Sequence, residues 1–368
     1  MDKKLYLHIG GPKTGTTALQ LFLARNRQTL ERKGFCYPGR DDAHWGICAN
    51  LRDHTLRGIK ARPHTFVRRC ISEIQKSPCH THIMSAECLA GQDKAAILRE
   101  LIPGELPVTI VYYARRQDAL IESWYKEVVK IGHYRVDERL DEEFLKGVYP
   151  MPLFNHIRII TPWAESFGRE NVIVRCYEKQ QMNGDIIGDF TGITGLSVDE
   201  TFSHSGEDIN ASLDPHHLEF VRLCNQAISD ASEINYFLIN CRFAQSRLFE
   251  NLRKQHLLSP EARNTVLDYY EESNQKIARE YLGRADGRLF YDPRPDSDEP
   301  YMPCRGLTAT ELGPIFSEMI ATLDRQQRDM EPLRSILMCL NRAAKKGIRF
   351  VPEPVLQAIA TKADILNR

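Results

Sequence analysis

Residues 5–34 read LYLHIGGPKTGTTALQLFLARNRQTLERKG, and the rest of the chain is placed around this stretch. Leu5, Tyr6, Leu7 and Ile9 form a short apolar, β-prone run that Gly10, Gly11 and Pro12 stop. From Thr16 the period changes. Leu19, Phe22, Leu23 and Leu30 recur at helical spacing, and Gly34 stands where a helix takes its C-terminal glycine. The stretch predicts a strand, a tight loop and one long helix. Successive backbone N–H groups at such a turn, backed by the positive end of the helix dipole, make an anion site. Lys13, Thr14, Thr16 and Thr17 add a cation and hydroxyls to it.

The kind of anion is narrowed by comparison with the nucleotide-kinase pattern GxxxxGK[ST]. Gly10 and Gly15 keep the glycine spacing, but Thr16 occupies the lysine position and the loop's lysine is Lys13. Residues 12–17, PKTGTT, instead closely resemble the 5′-phosphosulfate loop of sulfotransferases that use 3′-phosphoadenosine 5′-phosphosulfate (PAPS). The resemblance implies that Pro12, Lys13, Thr14, Gly15, Thr16 and Thr17 bind this donor.

Size and composition set the outer bounds. At 368 residues the chain can build a large core, and Lys plus Arg equals Asp plus Glu at 49 each. That balance gives no global pull toward nucleic acid or an anionic membrane, so an anion site must be local. A hydrophobic fraction of 42% with 27% charged residues is ordinary for a globular protein. No secretory leader precedes the loop, and no apolar run approaches the roughly 18–20 residues that span a bilayer, so a cytoplasmic location is expected. Ten cysteines without CxxC pairs suit reduced thiols. Cys79, His80 and His82 lack a matching second ligand pair, so a strand with alternating faces is preferred there and no metal is expected.

Along the chain, residues 35–47 lack periodicity and read as a loop. A helical pattern returns with Phe66, Val67, Cys70, Ile71 and Ile74. Strands are expected at 82–85, ending near Glu87, at 108–114 (VTIVYYA) and at 171–178 (NVIVRCYE), with a helix over 92–101 between the first two. This order favours an α/β fold with a mostly parallel, P-loop-like sheet flanked by helices and ligands at the strand carboxyl ends. After the strand at 108–114 come Arg115, Arg116 and a helix from Gln117. Arg115 and Ser123 have the spacing of the 3′-phosphate site in sulfotransferases, where arginine forks onto phosphate and a serine hydroxyl donates from the helix. Arg116 and Gln117 depart from the Asn and Pro of many family members. The strand closing on Tyr177 and Glu178 also resembles a late core strand of that family, with Glu178 expected to hydrogen-bond structurally.

Residues 135–168 read as helices broken by Pro150 and Pro152. From Asp214 helices dominate, at about 214–230, 232–255 and 260–282, the last with Ser259 as N-cap and Pro260 behind it. Residues 258–290 resemble the helical C-terminal part of bacterial sulfotransferase-like proteins. The late Arg-Lys-Gly loop that grips the cofactor in cytosolic family members is missing; 205–212, with Asn210 and Ser212 before a helix, is a candidate substitute, but a plain helix-capping loop is the preferred reading. The expected domains are 1–292 as the α/β unit with its helical part, 293–304 as a proline-rich linker, and 305–368 as a helical appendage. In the appendage Thr308 and Glu311 form a capping box, with a regular helix starting near Pro314 and further helices near 330–345 and 353–367.

The resemblance implies a PAPS-dependent transferase, of the carbohydrate-sulfating type, that needs no metal. Lys13 faces the leaving phosphate and a general base activates an acceptor hydroxyl. Glu87 is the first choice for that base, because carbohydrate-sulfating relatives use a glutamate; His44 and His82 are rivals, because many cytosolic relatives use a histidine. A sugar acceptor is favoured over a phenol or small metabolite. Trp45, Trp124 and Trp163 suit stacking on a sugar, but core packing is the commoner use. The C-terminal helices are candidates for a homo-oligomer contact. A P-loop kinase for small molecules and a non-catalytic nucleotide-binding scaffold stay open.

Overall fold

Alternation along the first strand sets the layers. In β1 (Lys4–Gly10), Leu5, Leu7 and Ile9 enter one core, whereas His8 lies on the other side against the rings of Tyr113 and Phe190. The computed structural model describes residues 3–40, 43–44, 47, 65–90, 94–131, 138–203, 213–227, 243 and 246–321. After β1 come α1 (Thr16–Arg25), α2 (Arg27–Arg32), β2 (Phe35–Cys36), α3 (Thr65–Lys76), β3 (Thr81–Ser85), α4 (Lys94–Leu101) and β4 (Val108–Ala114). Then follow α5 (Gln117–Ile131), α6 (Glu142–Val148), α7 (His156–Phe167), β5 (Val172–Cys176), α8 (Ile186–Thr194), α9 (Pro215–Ala227) and α10 (Pro260–Leu282).

Among the described residues the sheet has five strands, all parallel, in the order β2-β3-β1-β4-β5. The α/β fold with flanking helices is therefore as expected. One face packs against α3, α4 and α7 through Val67, Ile74, Leu98, Ile160 and Trp163. The other packs against α1 and α8 through Leu19, Leu23, Ile186 and Phe190. A separate helical core joins α5, α6, α9 and α10 around Ile121, Tyr125, Leu145, Leu218 and Val266. α10 also enters the sheet core through Ile277 and Ala278, and beside it Gln117 and Asn274 exchange side-chain hydrogen bonds at 2.8 and 3.0 Å.

Several boundaries differ from expectation, each for a reason outside the local pattern. The long first helix breaks at Asn26, whose side-chain amide donates to the carbonyls of Phe22 and Ser203. Residues 35–36 form an edge strand too short for a two-residue period to show. Of the helix expected over 232–255, the described residues 246–255 form turns and a 3₁₀ segment, Glu250–Leu252. The expected loop at 205–212 and helices at 330–345 and 353–367 lie outside the described residues, as does Trp45.

Residues 309–321 are helical directly after Thr308, so Pro314 does not delay the helix, and Glu311 accepts from the Thr308 amide at 2.8 Å as in a capping box. Ile315 on this helix is fully buried in the helical core. The proline-rich stretch lies against the main body as well, because Arg116 donates to the carbonyls of Asp292 and Pro293. Cys88 is disulfide-bonded, a departure from the reduced thiols expected, whereas Cys36, Cys70, Cys79, Cys176, Cys224 and Cys304 are reduced thiols.

Candidate active site

The loop between β1 and α1 is shaped by close backbone approach. A Cβ on Gly11 would lie 1.9 Å from the Tyr113 carbonyl oxygen, and one on Gly10 would lie 2.7 Å from the Cα of Glu87. Only glycine lets the loop pass between the ends of β3 and β4. Lys13 has φ +61°, a left-handed backbone that is sparsely populated by side-chain-bearing residues. The turn is stabilised where the Thr14 hydroxyl donates to the Gly11 carbonyl at 2.6 Å. Ala18 and Leu19 give the first helical N–H bonds, both to Gly15, which leaves the Thr16 and Thr17 amides at the open end of α1. Pro12, Thr14 and Thr16 are buried, Gly15 is half-buried and Thr17 is exposed.

β4 neighbours β1, so the segment after it meets this loop. Arg115 donates from Nη1 to the Lys13 carbonyl at 2.6 Å, and its guanidinium lies 5.9 Å from the centre of the Tyr177 ring. Its own carbonyl accepts from His156 Nε2 at 2.8 Å, while Tyr112 bonds Nδ1 of the same ring. Burial lowers the His156 pKa to about 4, so it acts as a neutral strut that fixes the strand end. Ser123 is half-buried on α5. One turn further on, Glu127 takes the Lys13 ammonium at 3.2 Å, so the Ser123–Glu127 face of α5 fronts the loop. The departures at 116 and 117 are structural. Arg116 pairs with buried Asp118 at 2.9 Å, and Gln117 pairs with Asn274.

Glu87 opens a 3₁₀ turn directly after β3, on the other side of β1. Its carboxylate accepts from the Thr16 hydroxyl at 2.5 Å. Burial raises its pKa, and Thr16 and Lys13 oppose the rise. Glu87, the Lys13 loop and Arg115 thus come from the carboxyl ends of three adjacent strands. Chain direction across the sheet reverses here, where open α/β sheets bind ligands.

The histidine rivals are placed differently. His44 is fully buried, its Nδ1 accepting from the Ser85 amide at 3.0 Å and its Nε2 donating to the Pro38 carbonyl at 2.6 Å. Both ring nitrogens are committed to backbone. His82 lies near the start of β3, beside Leu5, with its pKa lowered to about 4 by burial. That is the opposite end of the strand from the loop. Glu178 accepts from the amides of Tyr291 and Asp292, which fits a structural role. Trp163 is core, and half-buried Trp124 packs on Phe144 and Phe154.

Glu127, Lys126, His156 and Tyr177 were not singled out as site residues by sequence reasoning. Helical spacing from Ser123 would have found the first two; His156 reaches the site only through tertiary packing. Chemically, the arrangement offers a cation and open helix amides for an anion, an adjacent arginine for another, and a half-buried carboxyl group beside the loop. Among the described residues no group of three or more His, Cys, Asp or Glu is placed to hold a metal ion, and no helix is long and apolar enough to cross a membrane.

No protein-family model matches the chain. It is 27% identical over 175 residues to an uncharacterized protein from Archaeoglobus fulgidus, a match covering 47% of this chain and 46% of that protein. The chain thus spans about half the length of this curated relative. Among solved structures, a sulfotransferase from Alicyclobacillus acidocaldarius aligns with 64% of this chain and 96% of its own at 16% identity and a TM-score of 0.35.

Proposed function

We propose that this chain is a sulfotransferase that moves the sulfuryl group of PAPS to a hydroxyl acceptor, a sugar of a glycan or glycolipid, by in-line displacement. The observation that carries the reading is the contact between the two motifs: Arg115 donates to the Lys13 carbonyl at 2.6 Å. The arginine expected to grip one phosphate and the lysine loop expected to grip the other are thereby parts of one site. A nucleotide phosphorylated at both its 3′ and 5′ positions suits that pairing. The residues fit such a ligand, because the Thr16 and Thr17 amides stand at the open end of α1 beside the left-handed turn at Lys13.

Bound PAPS supplies an activated sulfuryl group carried on a phosphate leaving group. This chain's residues divide the remaining work. Thr14 to Thr17 and the start of α1 hold the 5′-phosphate, and Arg115 with Ser123 holds the 3′-phosphate. Lys13 neutralises the charge that grows on the leaving oxygen, exchanging Glu127 for the ligand. Glu87 takes the proton of the acceptor hydroxyl. Its raised pKa makes it a stronger base than an exposed glutamate, provided the pH is high enough to ionise it. Positioning supplies most of the remaining acceleration, as in phosphoryl transfer.

Calorimetry tests the reading directly. The expected outcome is tight binding of adenosine 3′,5′-bisphosphate, weak binding of ATP with magnesium, and transfer from PAPS to a sugar acceptor. Tight binding of ATP with magnesium and none of the bisphosphate would mean a kinase. Binding of the bisphosphate with no transfer across an acceptor panel would mean a scaffold.

A further inference from the structure

Lys126 is a half-buried lysine on α5, three residues after Ser123 and next to Glu127. Residues three apart on a helix are surface neighbours, so its stem starts beside the serine of the proposed 3′-phosphate site. Among the described residues it makes no hydrogen bond and no ion pair. Glu122, the acid one turn back, is already committed. Its Oε1 accepts from the amides of Leu257 and Leu258, and its Oε2 faces His256 Nδ1 at 2.9 Å. Asp214, whose charge also acts on Lys126, is bonded to His217 at 2.5 Å. Lys13, in contrast, has Glu127.

A desolvated ammonium without a counter-ion costs free energy in the empty protein, and an anion that reaches it recovers that cost. Burial, together with the positive charge of Arg115 and against the pull of Glu122, holds its pKa below the usual lysine range. A phosphate monoester carries between one and two negative charges at neutral pH, more than one arginine neutralises. Arg115 also has one nitrogen tied to the Lys13 carbonyl.

We infer that Lys126 is a direct ligand of the nucleotide's 3′-phosphate, completing with Arg115 and Ser123 a site selective for a phosphate dianion. The inference rests on the donor reading above, in which that phosphate lies at the start of α5. The lysine serves 3′-phosphate recognition and takes no part in the grip on the 5′ end.

The test compares adenosine 3′,5′-bisphosphate with adenosine 5′-monophosphate by calorimetry on the full chain, for wild type, Lys126→Met and Lys126→Arg. Methionine keeps the length and apolar stem and removes the charge. The expected result is a bisphosphate affinity reduced about 10- to 100-fold by Lys126→Met, with 5′-monophosphate binding changed by less than about 3-fold. Lys126→Arg recovers most of the loss. Unliganded Lys126→Met melts no lower than wild type, because an uncompensated charge has gone. An equal loss for both nucleotides, or no loss for either, overturns the role of Lys126. If wild type itself does not prefer the bisphosphate, the donor reading fails first, and that outcome is separable because it needs no variant.

Discussion

The two halves of the proposed site are built by different means. The loop after β1 is shaped within a few residues, by glycines that clear the ends of β3 and β4, a lysine at φ +61° and a threonine that closes the turn on Gly11. The start of α5 is held by distant chain. Arg116 and Arg263 clamp Asp118, Gln117 meets Asn274, Glu122 caps the amides of Leu257 and Leu258, and His156 holds the Arg115 carbonyl. The comparison teaches that the loop is a preformed cradle, whereas the second grip depends on the whole helical layer. Removing a functional side chain from the first half should remove chemistry, and removing a supporting one behind the second should cost stability.

The largest effect expected is on the proposed proton acceptor. Glu87→Gln should leave bisphosphate affinity near wild type and lower turnover about 10²- to 10⁴-fold; near-normal turnover would remove Glu87 from the reaction. Lys13→Met should lower turnover by about 10²- to 10³-fold with the melting temperature little changed, since its partner Glu127 is about one-third exposed. A large loss of stability instead would mean that the lysine is structural and the two halves are not distinct.

Gly11→Ala attacks the cradle where it touches the neighbouring strand. The added carbon meets the Tyr113 carbonyl, so destabilisation of roughly 3 kcal/mol or more is expected by denaturant titration. Behind the other half, Gln117→Ala leaves a buried Asn274 amide without its partner and should cost about 1–3 kcal/mol. Its bisphosphate affinity should fall with it, and unchanged affinity would show that the helical layer does not set the grip.

The smallest effect is a pH dependence. The Glu87 pKa is raised in the folded state, so between the unfolded and folded values the folded protein holds more protons. Its contribution to stability therefore declines as pH rises through that window. Glu87→Gln removes the decline, so the variant's stability relative to wild type should increase with pH, read from urea midpoints at pH 4 to 8. In activity the sign is opposite, because wild-type turnover rises on the same limb as the base ionises.

Two motifs of the site were legible in local sequence because local chemistry makes them. PKTGTT between an apolar run and a helical period marks a loop for an anion, and Arg115 with Ser123 has a fixed helical offset. Less legible was how committed each side chain already is. Lys13 answers to Glu127, 114 residues away, and His44 is consumed by backbone at Pro38 and Ser85. Periodicity carries no record of such pairings. The two-residue β2 and the break at Asn26 were missed for the same reason, since both are decided by neighbours in space.

By itself the sequence determined the α/β class, the loop, the main parallel strands and the capping of α10 by Ser259, because alternation, helical period and glycine geometry act within a few residues. Only the tertiary structure decided the strand order that sets β1 between β3 and β4, and with it the meeting of Glu87, Lys13 and Arg115. It also decided that, among the described residues, Lys126 has no counter-ion while the carboxylates around it are taken. Those outcomes depend on which groups are left over once distant segments have packed, and burial makes each leftover charge count.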